Sequence, residues 1–170
     1  MFETSEEIQE LQRLLDISHR RAHDHLKSII VAGERTPTAE QVIAHLTGMR
    51  LLVVATVDPD GRPMTSAVDG HLLHGHWVFT TSATALKARH LRSRQAVSAS
   101  HLVGEDFAIF THGDAEFLDT GNPVRDEVES YLTEYYGSSP SSWADEIDYV
   151  WIRPRWCVAY APDAAALPTS

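Results

Sequence analysis

The run LLVVATV at residues 51–57 is apolar and rich in β-branched residues, and DPDGRP follows it directly at 58–63. Val and Thr fit a pleated, half-buried surface, whereas Asp-Pro and Asp-Gly favour tight reversals, so this stretch predicts a strand, a hairpin turn and a return strand at 64–68. A hairpin is not stable alone; the rest of the chain must supply its partners. Further strands are expected at 77–80, 96–101, 107–111, 114–118 and 149–160. Six or so antiparallel strands at short spacing, with few helices among them, predict a mainly β fold. In it a Greek-key-like sheet closes into a barrel with helices packed outside.

The helices lie mostly ahead of the strands. Over residues 4–31 the apolar positions Ile8, Leu11, Leu15, Ala22, Leu26 and Ile29 recur at three- and four-residue steps, the stripe of an amphipathic helix that Ala32 and Gly33 would end. Thr38 and Gln41 have the spacing of a capping box, opening a second helix through Val42, Ile43, Leu46 and Met49. Residues 85–92 suit a short helix, and 123–136 a longer one with Pro123 in its first turn and Gly137 as its stop. The chain therefore divides into a helical extension at 1–35, a barrel domain at 36–160 and a flexible tail at 161–170.

Composition removes several classes of function. The formal charge of −10 comes with no long basic run, which argues against nucleic acid as a partner. No apolar run approaches the length of a membrane span, and the acidic start MFETSEEIQELQ has neither the basic nor the apolar region of a leader, so a cytoplasmic location is expected. The single cysteine, Cys157, lies in an apolar run and reads as a buried, inert thiol. Of ten histidines, His71, His74 and His76 fall within six residues. No cysteine or carboxylate cluster accompanies them, and no metal is expected.

One segment carries chemistry. WVFTTSATALKARHLR at 77–92 reads as a strand, a hydroxyl-rich turn and a helix start. Such a turn offers free amides and a favourable dipole to an anion, and Thr80, Thr81, Ser82 and Thr84 add hydroxyls. Lys87, one of two lysines among 14 basic residues, adds the charge. The alternative reading has the hydroxyls capping the helix and Lys87 as solvated surface.

In this order the motifs resemble the pyridoxamine 5′-phosphate oxidase-like superfamily, the flavin and deazaflavin oxidoreductases of the split-barrel fold. LLVVATVDPDGRP at 51–63, VFTTSATALKARHL at 78–91 and WIRPRWCVAY at 151–160 carry the resemblance, supported by AVSAS at 96–100 and GDAEFLD at 113–119. It covers roughly residues 41–160 and leaves out the first helix. The resemblance implies a homodimer with the cofactor in a groove between subunits, Lys87 on the cofactor phosphate, and Ser66, Ala67 and Val68 along the edge of the ring. Many relatives have Ser where this chain has Ala85, a role Thr84 could take. Relatives that oxidise pyridoxamine phosphate carry basic residues where this chain has Ser66 and His71. A hydroxyl cannot pair with phosphate as a guanidinium does, so a different small-molecule substrate is expected.

The function so implied is hydride transfer by bound FMN or coenzyme F420, with no catalytic side chain assigned because the ring carries the chemistry. Ser66 and an Arg- and Ala-rich composition of high-GC type tilt the choice towards F420. The alternative is a protein that only binds, stores or senses a flavin, a deazaflavin or haem, with His71 or a neighbour as the haem ligand. Arg153, Arg155 and Trp156 either reach the partner subunit's cofactor or are, respectively, exposed charges and core filling.

Overall fold

The computed structural model describes residues 2–169. Six antiparallel strands close into a barrel: β1 (Met49–Val57), β2 (Pro63–Leu73), β3 (His76–Ser82), β4 (Ala96–Val103), β5 (Phe107–Phe117) and β6 (Ile147–Tyr160), in the spatial order β1-β2-β3-β6-β5-β4. The expected turn at 70–75 narrows to His74 and Gly75, both at positive φ, because Gly70 to Leu73 pair with β3. The two strands expected at 107–111 and 114–118 are one, since β5 pairs with β6 through His112 and Gly113 across a register shift. There Gly113 opposes Pro154 and Arg155 is the extra residue, a bulge that accommodates a proline inside a strand.

Helices plug and pad this barrel. The 4–31 stripe divides into α1 (Ser5–Arg21) and α2 (Asp24–Ile29), because Ala22 takes extended backbone angles and ends the first helix. Thr4 and Glu7 close a capping box on α1, as Thr38 and Gln41 do on α3 (Ala39–His45). Leu11 and Leu15 of α1 and Val42, Ile43 and Leu46 of α3 join the barrel residues Leu52, Val54, Trp77, Phe79, Ile109, Val150 and Ile152 in one core. Leu91 of α4 (Leu86–Ser93) closes it. A second core lies outside the barrel, where Val128 and Leu132 of α5 (Pro123–Tyr136) pack on Leu73, Val78, Tyr149 and Trp151. Residues 161–167 depart from the flexible tail expected of 161–170: Ala161 and Ala164 are buried and the Ala164 carbonyl accepts a bond from Gln41. Residues 1 and 170 lie outside the described range.

Two long stretches of strand edge lack a strand partner, and their fates differ. Over 153–160, β6 has left β3, and α1 covers that edge: the buried Ser18 hydroxyl accepts the Cys157 N–H at 2.9 Å. Over 63–69, β2 has left β3 while staying paired with β1 down to Pro63. Gly70 marks the fork. A Cβ there would stand 2.7 Å from the Leu52 Cβ, so only glycine lets β1 and β2 approach as closely as the fork requires.

Candidate functional site

The split between β2 and β3 brings together the two groups of residues singled out in the sequence. Their ladder ends at the Gly70–Phe79 pair. Continued in register, it would have set Val68 against Thr81 and Ala67 against Ser82; instead β3 runs on beside β6 alone, pairing Thr80 with Tyr149, Thr81 with Asp148 and Ser82 with Ile147. One edge of β2, carrying Ser66, Ala67 and Val68, thus faces one edge of β3, carrying Thr80, Thr81 and Ser82, with backbone amides and carbonyls that no strand uses. Ser66 is half-buried on the inward side with its partner Val54, while Ala67 lies on the outer side with Val53.

The turn into α4 is held from its flanks and left open at its tip. Ala83 donates its N–H to the Glu146 carbonyl, and Ala85 donates to the Ser82 carbonyl. Arg92, at the other end of α4, donates to the Ala83 carbonyl and makes a two-pronged bond to Asp148 at 2.6 and 2.7 Å. Burial raises the Asp148 carboxyl above its ordinary range, and Arg92 works against that shift. The Ser82 and Thr84 hydroxyls bond one another at 2.9 Å, and Thr84 N–H donates to Ser82. No side chain caps α4: its N-cap is Ala85, whose methyl cannot accept a hydrogen bond. The hydroxyls therefore do not act as helix caps. The first-turn amides stay available, and half-buried Lys87 has no hydrogen bond or ion pair among the described residues. Lys27, by contrast, faces Asp24 at 4.0 Å. Free amides, hydroxyls and one unpaired cation at a helix start are the donor set that a terminal phosphate needs, and the open β2 edge suits the hydrogen-bonding rim of a flat ring.

Near the fork a chain of polar groups runs from β2 into α5, and sequence reading did not find it. Tyr136 O–H donates to Asp69 Oδ2 at 3.2 Å, so its oxygen accepts from His71 Nε2–H at 3.0 Å, and His71 Nδ1 in turn accepts from Tyr131 O–H at 3.2 Å. His71 is 1% exposed, and burial lowers its pKa to about 4, against a smaller raising effect of Asp69. Both ring nitrogens are occupied, so His71 is not placed to ligate haem iron. His74 is equally engaged, its two nitrogens lying 2.8 Å from Glu7 and 3.2 Å from Glu127. Among the described residues no group of three or more His, Cys, Asp or Glu is arranged to hold a metal ion. The signal available for the Tyr131–Tyr136 pair was a run of tyrosines on one turn of a predicted helix, which by itself does not indicate its partner.

On β6, Arg153 and Arg155 are exposed and bonded to Glu116 and Asp114. Trp156 does not fill the core; it stacks on His112 outside the barrel, with ring centroids 4.8 Å apart. Two cavities lie elsewhere. One of about 570 Å³ sits between α1, α3 and β6, and one of about 410 Å³ is lined by Ala55, Pro63, His112, Arg155 and Trp156 among others. Among the described residues no helix is long and apolar enough to cross a membrane.

A closed six-strand antiparallel barrel that forks between its second and third strands, with helices outside, defines the split-barrel class. The chain belongs to the pyridoxamine 5′-phosphate oxidase family, whose model matches residues 38–159. Among solved structures it is similar to a conserved hypothetical protein from Mycobacterium tuberculosis, at 22% identity and a TM-score of 0.63, over 79% of this chain and 92% of that one. It is also similar to an F420 reductase, at 19% and 0.55 over 71% and 97%, and to HutZ, a haem storage protein from Vibrio cholerae, at 18% and 0.57 over 65% and 86%. At these identities the likeness is one of fold. No curated protein matches the chain significantly in sequence.

The buried His71 makes stability pH-dependent. Its pKa is depressed on folding, so the unfolded chain binds the extra proton first; stability is fully present above about pH 6.5 and is lost as pH falls towards 4. The loss by pH 4.5 is roughly 2–3 kcal/mol from this group. Denaturant unfolding at pH 7 and pH 4.5 should show a difference smaller by that amount in His71→Gln than in the wild type. Equal differences would mean that His71 is not held neutral.

Proposed function

We propose that the chain is an oxidoreductase that holds a flavin-type cofactor, FMN or coenzyme F420, in the β2–β3 split, for hydride transfer to or from a small organic substrate. The carrying observation is the α4 start, with its first turn uncapped and Lys87 unpaired, opposite an unused edge of β2. In this reading Lys87, the first-turn amides of α4 and the hydroxyls of Thr81, Ser82 and Thr84 take the phosphate. Ser66 and the backbone of Ala67 and Val68 line the ring. Thr80, on the outer side beside Tyr149, borders the same opening. The bound ring supplies the hydride chemistry; the protein positions it and excludes water. Ser66 in place of a basic residue favours F420 over FMN and speaks against pyridoxamine phosphate as substrate. A storage or sensing role for haem finds less support, because His71 and His74 have no free ring nitrogen.

The split is open on its own, and a second copy would close it. Leu51, Val53 and Leu102 are 59%, 37% and 51% exposed, and Val53 pairs with Ala67 on one side and Ser100 on the other, so β2, β1 and β4 share an apolar outer face. An apolar face of this kind marks a protein interface, and a homodimer through it is part of the proposal. Sedimentation should give a dimer for the wild type and a monomer for Val53→Asp; a monomeric wild type contradicts the dimer.

Titration of FMN, F420 and haem separately into the purified protein tests the site. F420 or FMN should bind saturably, and Lys87→Ala should weaken that binding by more than roughly tenfold through loss of a charge-assisted contact. Unchanged affinity in a folded variant, or binding of haem alone, would sink the assignment.

A further inference from the structure

The cavity of about 570 Å³ shares no residue with the split, and its size falls within the range of small-molecule sites, ~300–1,000 Å³. Its walls come from one face of α1 (Gln12, Leu15, Asp16, His19, Arg20), from the loop and helix at 32–41, and from β6 with residues 164–165. Both α1 and residues 164–165 lie outside the matched 38–159, so this cavity is made where the chain adds to its family's barrel.

We propose that this cavity binds a small aliphatic zwitterion of amino-acid type, its ammonium on Asp16 and His19 and its carboxylate on Arg20. The wall amides are already committed to holding the cavity open. Gln12 accepts from Ala39 N–H at 2.8 Å and donates to Asp16 Oδ1 at 2.9 Å. Gln41 accepts from Thr38 N–H at 2.9 Å and donates to the Ala164 carbonyl at 2.7 Å. A site whose walls are tied in this way is formed before its ligand arrives, which lowers the entropy cost of binding.

Three groups of the lining are left over. Asp16 keeps its second carboxylate oxygen. The His19 Nε2–H donates to the Ile30 carbonyl at 2.7 Å, so in the neutral ring Nδ1 is a bare acceptor. Arg20 makes no hydrogen bond or ion pair among the described residues. Opposite charges four residues apart on a helix ordinarily pair, yet Asp16 and Arg20 form no ion pair within 4 Å. Both signs are therefore available at one cavity, with Asp16 one turn before Arg20 on α1 and His19 next to it in the chain. A ligand of a single sign would place its charge beside a like one. Leu15, Val158, Ala159 and Ala164 supply an aliphatic wall with no aromatic ring, which sets the chemistry of the remainder.

Calorimetry on the full chain with leucine, 4-methylpentanoate and 3-methylbutylamine separates the contributions, since the three share one branched alkyl group and differ in charge. Leucine should bind saturably, and the acid and the amine should each bind at least roughly tenfold more weakly. Arg20→Ala should reduce leucine affinity by a similar factor with an unchanged melting temperature, since the side chain is exposed and has no protein partner. Asp16→Asn, which can still accept from Gln12, should do the same. No saturable leucine binding up to about 20 mM, equal binding of all three probes, or full affinity in both variants would each overturn the proposal. None of these results bears on the cofactor in the split.

Discussion

Beyond Gly70 the backbone of β2 can follow only one neighbour, and it follows β1. That choice is enforced by close packing: with no side chain at Gly70, Leu52 fills the space that a Cβ would take, and the β1–β2 ladder runs unbroken to Pro63. β3 meanwhile stays with β6. An unpaired strand edge is ordinarily a liability, because its amides and carbonyls seek partners. Where β6 leaves β3, helix α1 covers the exposed stretch through Ser18. At the β2–β3 fork no helix among the described residues does so, and the facing edges of both strands have no strand partner there.

The fork places the uncapped start of α4, with unpaired Lys87 in its first turn, beside this open edge. Arg92 and Asp148 hold the turn, so the first-turn amides of α4 are oriented without being capped by a side chain. On the other side, α5 clamps the root of β2 through Tyr136, His71 and Tyr131. One flank is fixed by a charged pair and the other by a hydrogen-bonded chain around the buried His71 ring that ends on the exposed Asp69 carboxylate. Two such grooves facing each other across the apolar sheet of β2, β1 and β4 would account for the exposure of Leu51 and Val53.

Much of this was legible in the residues. Strand runs, the DPDGRP turn, the Thr38–Gln41 capping box and the Pro123-to-Tyr136 helix follow from local preferences that tertiary packing did not override. The hydroxyl-rich turn and Lys87 stand out in the sequence because their chemistry is local. What could not be read depended on long-range pairing. Nothing around Ala22 other than backbone geometry announces the break between α1 and α2, and the single long β5 follows from its registry with β6. Arg92, Asp148 and the Tyr131–His71–Tyr136–Asp69 chain join residues from 56 to 67 positions apart that carry no motif. The alternative in which the hydroxyls cap α4 does not hold: the cap position belongs to Ala85.

The central claim is that a phosphate-bearing ring lies between the edges of β2 and β3. Amide chemical shifts recorded while F420 and then FMN are added to the uniformly labelled protein address it residue by residue. The account predicts that the perturbed amides cluster at Ala67, Val68 and 81–88. Changes confined to the α1–β6 cavity, or none at saturating cofactor, would contradict it.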